Sequence, residues 1–243
     1  ISGTWTFKKS LTASDGAGGD NFGVSVTIND EGTFAFVGAD NHDSAKGAVY
    51  VFKKNHPNAG DWGQYQKIVS LDQRINSYFG KSVSVHLNTL LIGSPNGGNF
   101  AGAVYEVTYS TGTGKWGSQT GSYEYPSSDK IQALDASAND QYGYSVSVYD
   151  NFGIIGSKST DMSGNVDTGS AYIIINTGEG YWEESKQINP NDLDVQDEYG
   201  ISVGLFGRTA VVGSWLSEGD QGGDPAHAGS AYIFNLPNPD GGT

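Results

Sequence analysis

The chain repeats itself four times, and this constrains its architecture more than any other feature of the sequence. An aromatic residue followed by glycine occurs at Phe22-Gly23, Phe79-Gly80, Tyr142-Gly143 and Tyr199-Gly200. Two residues beyond each glycine stands a serine (Ser25, Ser82, Ser145, Ser202), and a valine follows every serine. Next comes an aliphatic-Gly-small triplet, at Val37-Gly38-Ala39, Ile92-Gly93-Ser94, Ile155-Gly156-Ser157 and Val212-Gly213-Ser214. A Gly-small-x-Tyr signature then opens a third apolar run, ending at Tyr50, Tyr105, Tyr172 and Tyr232, while Trp5, Trp62, Trp116 and Trp182 mark a fourth. Signatures recurring in fixed order at this period denote units that stack on one another.

Period-two alternation between turn signals makes each unit four short antiparallel strands, which is one blade of a β-propeller. Along the chain a lone Trp strand comes first, then three full units, then three strands ending near Phe234. The sequence therefore predicts an all-β propeller of four blades in one domain spanning residues 1–243, with the N-terminal strand completing the last blade. The 36 glycines and 12% aromatic residues suit many tight turns and a core of aromatic and β-branched side chains.

With 13 basic against 27 acidic residues, the formal charge of −14 would repel a polyanion, so nucleic acid is excluded as a partner. Cations, proteins and neutral glycans remain. The absence of cysteine removes disulfides, thiolate metal ligands and a thiol nucleophile. No apolar run approaches the length of a membrane span, and the first six residues lack the charged and apolar regions of a signal peptide. There is no Asn-x-Ser/Thr acceptor for glycosylation.

The four Phe/Tyr-Gly and Gly-Ala/Ser signatures, with Leu-Thr-Ala-Ser-Asp at residues 11–15, resemble the FG-GAP repeats of integrin α-chain propellers and of many extracellular bacterial and algal proteins. The resemblance spans the whole chain. Because that family usually forms seven blades, it leaves two architectures, a ring of four or a segment of a seven-bladed propeller. It implies an extracellular or cell-surface location and a binding role. The integrin-type calcium sequence is missing, because the turns at residues 29–32 and 87–89 are too short and too poor in carboxylates. The family's proline after the Gly-small pair survives only at Pro95, its counterparts being Asp40, Lys158 and Trp215.

Candidate functional residues gather on the face where the loops before the first strand and between the second and third strands emerge. Asp15, Asp72, Asp135 and Asp192 stand eight residues before the repeat glycine and are expected to cap turns through backbone N–H groups. Asp20, Asp140 and Asp197 stand three before it, with Ser77 in the fourth place, and are expected around the channel mouth. Like charges brought together there would favour a divalent cation, and oxygen ligands suit calcium. Asp192, Asp194, Asp197 and Glu198 form the richest local acidic run, without the spacing of a standard calcium loop. The loops starting at Asp40, Lys158 and Trp215 vary most between repeats and are the candidate ligand-binding elements. Trp215 either packs under its own loop or offers a stacking platform. The other four tryptophans are expected in blade cores. His42, His56, His86 and His227 are not clustered in the sequence and read as loop or strand residues.

The sequence carries no nucleophile elbow, paired-histidine metalloprotease motif or phosphate loop. The expectation is a non-catalytic module that engages a protein or glycan through one acidic loop face. A self-assembling structural unit of a surface filament is the alternative, followed by a hydrolase or lyase built on carboxylate pairs.

Overall fold

The computed structural model describes residues 3–70, 72–117, 124–125, 130–162, 164–178, 181–217 and 228–236. Glycine-punctuated alternation produces successive antiparallel sheets, as the repeat predicts. Blade 1 is β1 (Ser25–Ile28), β2 (Phe34–Ala39), β3 (Ala48–Lys54) and β4 (Trp62–Ser70), paired in that order. A single helical turn, α1 (His42–Ala45), sits in its second loop. Blade 2 is β5 (Ser82–His86), β6 (Thr89–Ser94) and β7 (Ala103–Ser110). Its outer position is split between β8 (Lys115–Trp116) and β10 (Lys130–Ile131), and β9 (Glu124–Tyr125) crosses between them to pair in parallel with β4. Blade 3 is β11 (Tyr142–Tyr149), β12 (Phe152–Ser157), β13 (Ser170–Gly178) and β14 (Tyr181–Gln187). Blade 4 contains β15 (Ser202–Phe206), β16 (Thr209–Ser214) and β17 (Ser230–Asn235).

The core lies between blades. Phe34 and Phe36 of blade 1 pack with Phe79, Val83 and Ile92 of blade 2, and the Trp116 ring stands edge-on to Phe36 at 4.8 Å between centroids. Leu91 and Val104 meet Tyr142, Val146 and Ile155 of blade 3, and Ile154 and Ile173 meet Tyr199, Leu205 and Val212 of blade 4.

The repeat motif explains how the joints close so tightly. Ser25 Oγ donates to the Gly80 carbonyl at 2.7 Å, Ser82 to Gly143 at 2.9 Å, and Ser145 to Gly200 at 2.8 Å. The glycines of the second strand let those carbonyls approach, since a Cβ on Gly38, Gly93 or Gly156 would overlap the same oxygens. Ser25, Ser82 and Ser145 are interblade latches.

The structure departs from the expected closure. Residues 3–13 form no strand, Trp5 is fully exposed rather than in a blade core, and β17 has no outer partner among the described residues. The N-terminal segment runs beside blade 1, where Leu11 and Ala13 pack on Val37, Tyr50 and Phe52 and Lys9 Nζ reaches Asp61 at 2.7 Å. In this it differs from β4 and β14, which pair with the blade they follow, on β3 and β13.

Candidate functional site

Residues flanking the repeat glycines end the inner strands at the loop face, and they form a polar ribbon across the blades. Asn21 Nδ2 donates to Asp40 Oδ1 at 2.9 Å, and Asp40 Oδ2 lies 3.3 Å from Lys81 Nζ. That ammonium stands 5.3 Å from the centre of the Tyr144 ring, and Lys158 Nζ stands 5.1 Å from the same ring. Lys158 pairs with Glu198 Oε1 at 3.1 Å, while Trp215 Nε1 donates to Glu198 Oε2 at 2.8 Å. The ribbon joins Asp40, Lys158 and Trp215, the three residues singled out by the missing prolines. Asp40 is buried at one end, and Trp215 is 57% exposed at the other. Of the loop that begins at Trp215, residues 218–227, including His227, lie outside the described residues.

Lys81, Tyr144 and Glu198 escape the sequence reading. Each lies one or two positions from a repeat aromatic-glycine pair, where the side chains differ between blades and so carry no repeat signal.

The two aspartate sets take parts other than those expected. Asp15, Asp72 and Asp135 do not cap turns. They accept from the hydroxyls of Tyr50 at 2.8 Å, Tyr105 at 3.1 Å and Tyr172 at 3.1 Å, and Asp192 accepts from Tyr232 at 3.3 Å. The turn-capping residues are Asp20, Asp140 and Asp197, which accept the N–H three residues back, from Ala17, Ser137 and Asp194, at 2.8 to 2.9 Å. The Gly-small-x-Tyr signature ends on the tyrosines that make the first set possible.

In blade 1, His42 Nδ1 lies 2.7 Å from Asp20 Oδ2, and Lys67 Nζ lies 2.7 Å from His42 Nε2 and from Asp15 Oδ2. An ammonium can only donate, so a neutral ring carries its proton on Nδ1 and gives it to Asp20. The hydrogen bond from His42, then that from Ala17, holds the Asp20 carboxyl below the usual carboxylate range. Asp140 is displaced the other way. Burial raises its pKa, with Asp135 and Asp161 adding repulsion. A cavity of about 420 Å³ opens there, lined by Asp135, Asp140, Asp161 and Asp167.

The capping carboxylates are each engaged locally. Each already spends an oxygen within its own blade, Asp194 Oδ1 accepts the N–H of Val195, and among the described residues no three of His, Cys, Asp or Glu are grouped to hold a metal. His86 is stacked on Tyr149 at 4.4 Å and His56 stands edge-on to Tyr65.

No curated protein matches the chain in sequence. Among solved structures it is similar to a putative 6-phosphogluconolactonase from Bacteroides uniformis, with TM-score 0.45, 13% identity, and coverage of 91% of this chain and 69% of that one. It is also similar to a GH43 endo-arabinanase from Bacillus licheniformis, with TM-score 0.41, 9% identity, and coverage of 89% and 73%. Likeness at this level carries neither activity to this chain. The FG-GAP repeat signature, by contrast, matches residues 5–52, 62–108, 127–174 and 182–234, each span taking in one aromatic-glycine pair, one Gly-small triplet and one Tyr strand. On those four matches, the chain belongs to the FG-GAP repeat family.

Proposed function

We propose that this chain is an extracellular or cell-surface interaction module that engages a protein or glycan through the loop end of its blades, by binding rather than catalysis. The observation that supports this reading is the exposed end of the ribbon. The Trp215 ring is open to solvent while its N–H is fixed by Glu198, which Lys158 holds in turn. A large aromatic surface already set in orientation loses little freedom when a partner covers it, and such residues dominate binding interfaces. Directly after Lys158, Ser159 begins the lining of the acidic cavity, which would attract a cationic group in a chain of net charge −14.

The test uses arrays of oligosaccharides and of lysine- or arginine-bearing peptides, probed with the parent chain and with Trp215→Ala. A loss of tenfold or more in affinity, about 1.4 kcal/mol, at an unchanged melting temperature supports the reading. Ligands held equally well by Trp215→Ala, or arrays with no binder, would overturn it.

A further inference from the structure

Every internal joint has two halves, and both ends of the array carry a half without its complement. On the trailing side, Ser202 and Gly213 of blade 4 hold the places of Ser25 and Gly38 in blade 1. Ser202 Oγ meets no carbonyl of a following blade among the described residues, and the atoms nearest a Cβ on Gly213 all belong to Ser202. On the leading side, nothing lies within 4 Å of a Cβ on Gly23, whereas the equivalent Gly80 and Gly143 are covered by the Ala48 and Ala103 carbonyls.

The apolar side chains follow the same rule. Val83 is 8% exposed in its joint, and its counterpart Val26 is 68% exposed on the leading face of blade 1. Val51 is fully buried, and its counterpart Ile233 is 70% exposed on the trailing face of blade 4, paired with Val211 on the next strand.

The N-terminal segment belongs to the same incomplete joint. Trp5 precedes Phe22 by 17 residues, the separation of Trp62 from Phe79 and of Trp182 from Tyr199. In those two cases the Trp segment is the outer strand of the preceding blade, as β4 is on β3 and β14 on β13. The segment packs on blade 1 through Leu11, Trp5 and Phe7 are exposed, and among the described residues it joins no strand and β17 has no outer strand.

We propose that blade 4 of one copy of this chain docks on blade 1 of a second copy, and that residues 3–11 of the second copy add to β17 of the first. The occupant is a second copy because the two half-joints are complementary and sit on one chain. They continue an interface that the molecule already makes three times. Ser202 Oγ would then donate to the Gly23 carbonyl, and Val26 and Ile28 would cover Val211 and Ile233. The contact is head-to-tail, which closes into a ring when the rotation allows and otherwise extends as a filament. Two copies bring eight blades. Because each chain carries −14, added salt should strengthen the association by screening repulsion.

Sedimentation of the chain from micromolar to millimolar concentration tests this. Dimers or longer species are expected, favoured by salt and lost in Gly213→Val, whose new methyl groups enter the joint while in the single chain they meet only a hydroxyl that can rotate. A second measurement fixes the geometry. The chain has no cysteine, so Ile233→Cys and Val26→Cys chains can be mixed and treated with a short bismaleimide. A cross-linked pair that forms only in the mixture is the expected product. A monomer at all concentrations, an oligomer indifferent to Gly213→Val, or a cross-link closing within one chain that carries both cysteines would each overturn the proposal.

Discussion

At the joint between blades 2 and 3, Gly93 lies beneath the Gly143 carbonyl, Ser82 donates to that oxygen, and β6 is buried along nearly its whole length. On the outer flank of blade 4, Gly213 and Ser202 hold the same strand positions, and β16 alternates between buried and open residues. The two sequences, Thr-Leu-Leu-Ile-Gly-Ser and Thr-Ala-Val-Val-Gly-Ser, are nearly alike in pattern. The difference teaches that the repeat encodes one half of a joint, and that burial is decided by the neighbour. A strand apolar on both faces signals two neighbours, and β16 is such a strand with only one in place.

This contrast can be broken by paired substitutions read out as unfolding free energy at a concentration where the chain is monomeric. The largest separation is expected between Phe36→Ala and Val211→Ala, which hold the same position in blades 1 and 4. Phe36 is fully buried against Trp116, so its loss should cost about 3–5 kcal/mol, while Val211→Ala should stay within about 0.5 kcal/mol of the parent. Next come the glycines. Gly156→Ala drives a methyl into the Gly200 carbonyl and should cost about 3 kcal/mol, whereas Gly213→Ala should be nearly silent. Equal costs within either pair would mean that the end face is as occupied as the joint.

A smaller effect separates the latches. Ser145→Ala removes a donor from Gly200 and should cost about 1 kcal/mol, while Ser202→Ala should leave the melting curve unchanged.

The smallest contrast concerns charge at one repeat position. The Asp20 pKa is lowered in the fold, so its ionised form stabilises at neutral pH, and that contribution is lost as the pH falls through the folded pKa. The Asp140 pKa is raised, so ionisation costs stability at neutral pH, and the cost is relieved on acidification. Asp20→Asn should therefore melt below the parent at neutral pH and Asp140→Asn above it, with both gaps narrowing in acid. Melting curves across a pH series check both signs.

Much of this was legible because register along a strand is a local property. The aromatic-glycine pairs, the Gly-small triplets and the Tyr strands mark where each blade begins and turns, and the sheets follow them. What the sequence left open depends on contacts across blades. Ser25 and Gly80 are 55 positions apart, and nothing in either repeat says that one latches the other. The aspartates illustrate the same limit. A carboxylate before a strand suits a turn cap or a tyrosine hydroxyl equally well, and only the placement of Tyr50 and its counterparts separates Asp15 from Asp20. Asp40, Lys158 and Trp215 stood out by the absence of proline, but the residues that tie them together, Lys81, Tyr144 and Glu198, came from neighbouring blades.

Placing the apolar mass between blades also sets how the molecule comes apart. A domain with one central core loses everything in a single step, but here each blade is stabilised only by the blades beside it, like links in a short row. Blades 2 and 3 each contribute to two of the interblade clusters, whereas blade 4 contributes to one and has three strands among the described residues. Opening should begin at that terminus, so backbone amides of β17 would exchange with solvent sooner than those of β6 or β12. The chain would fray from one side while its middle holds.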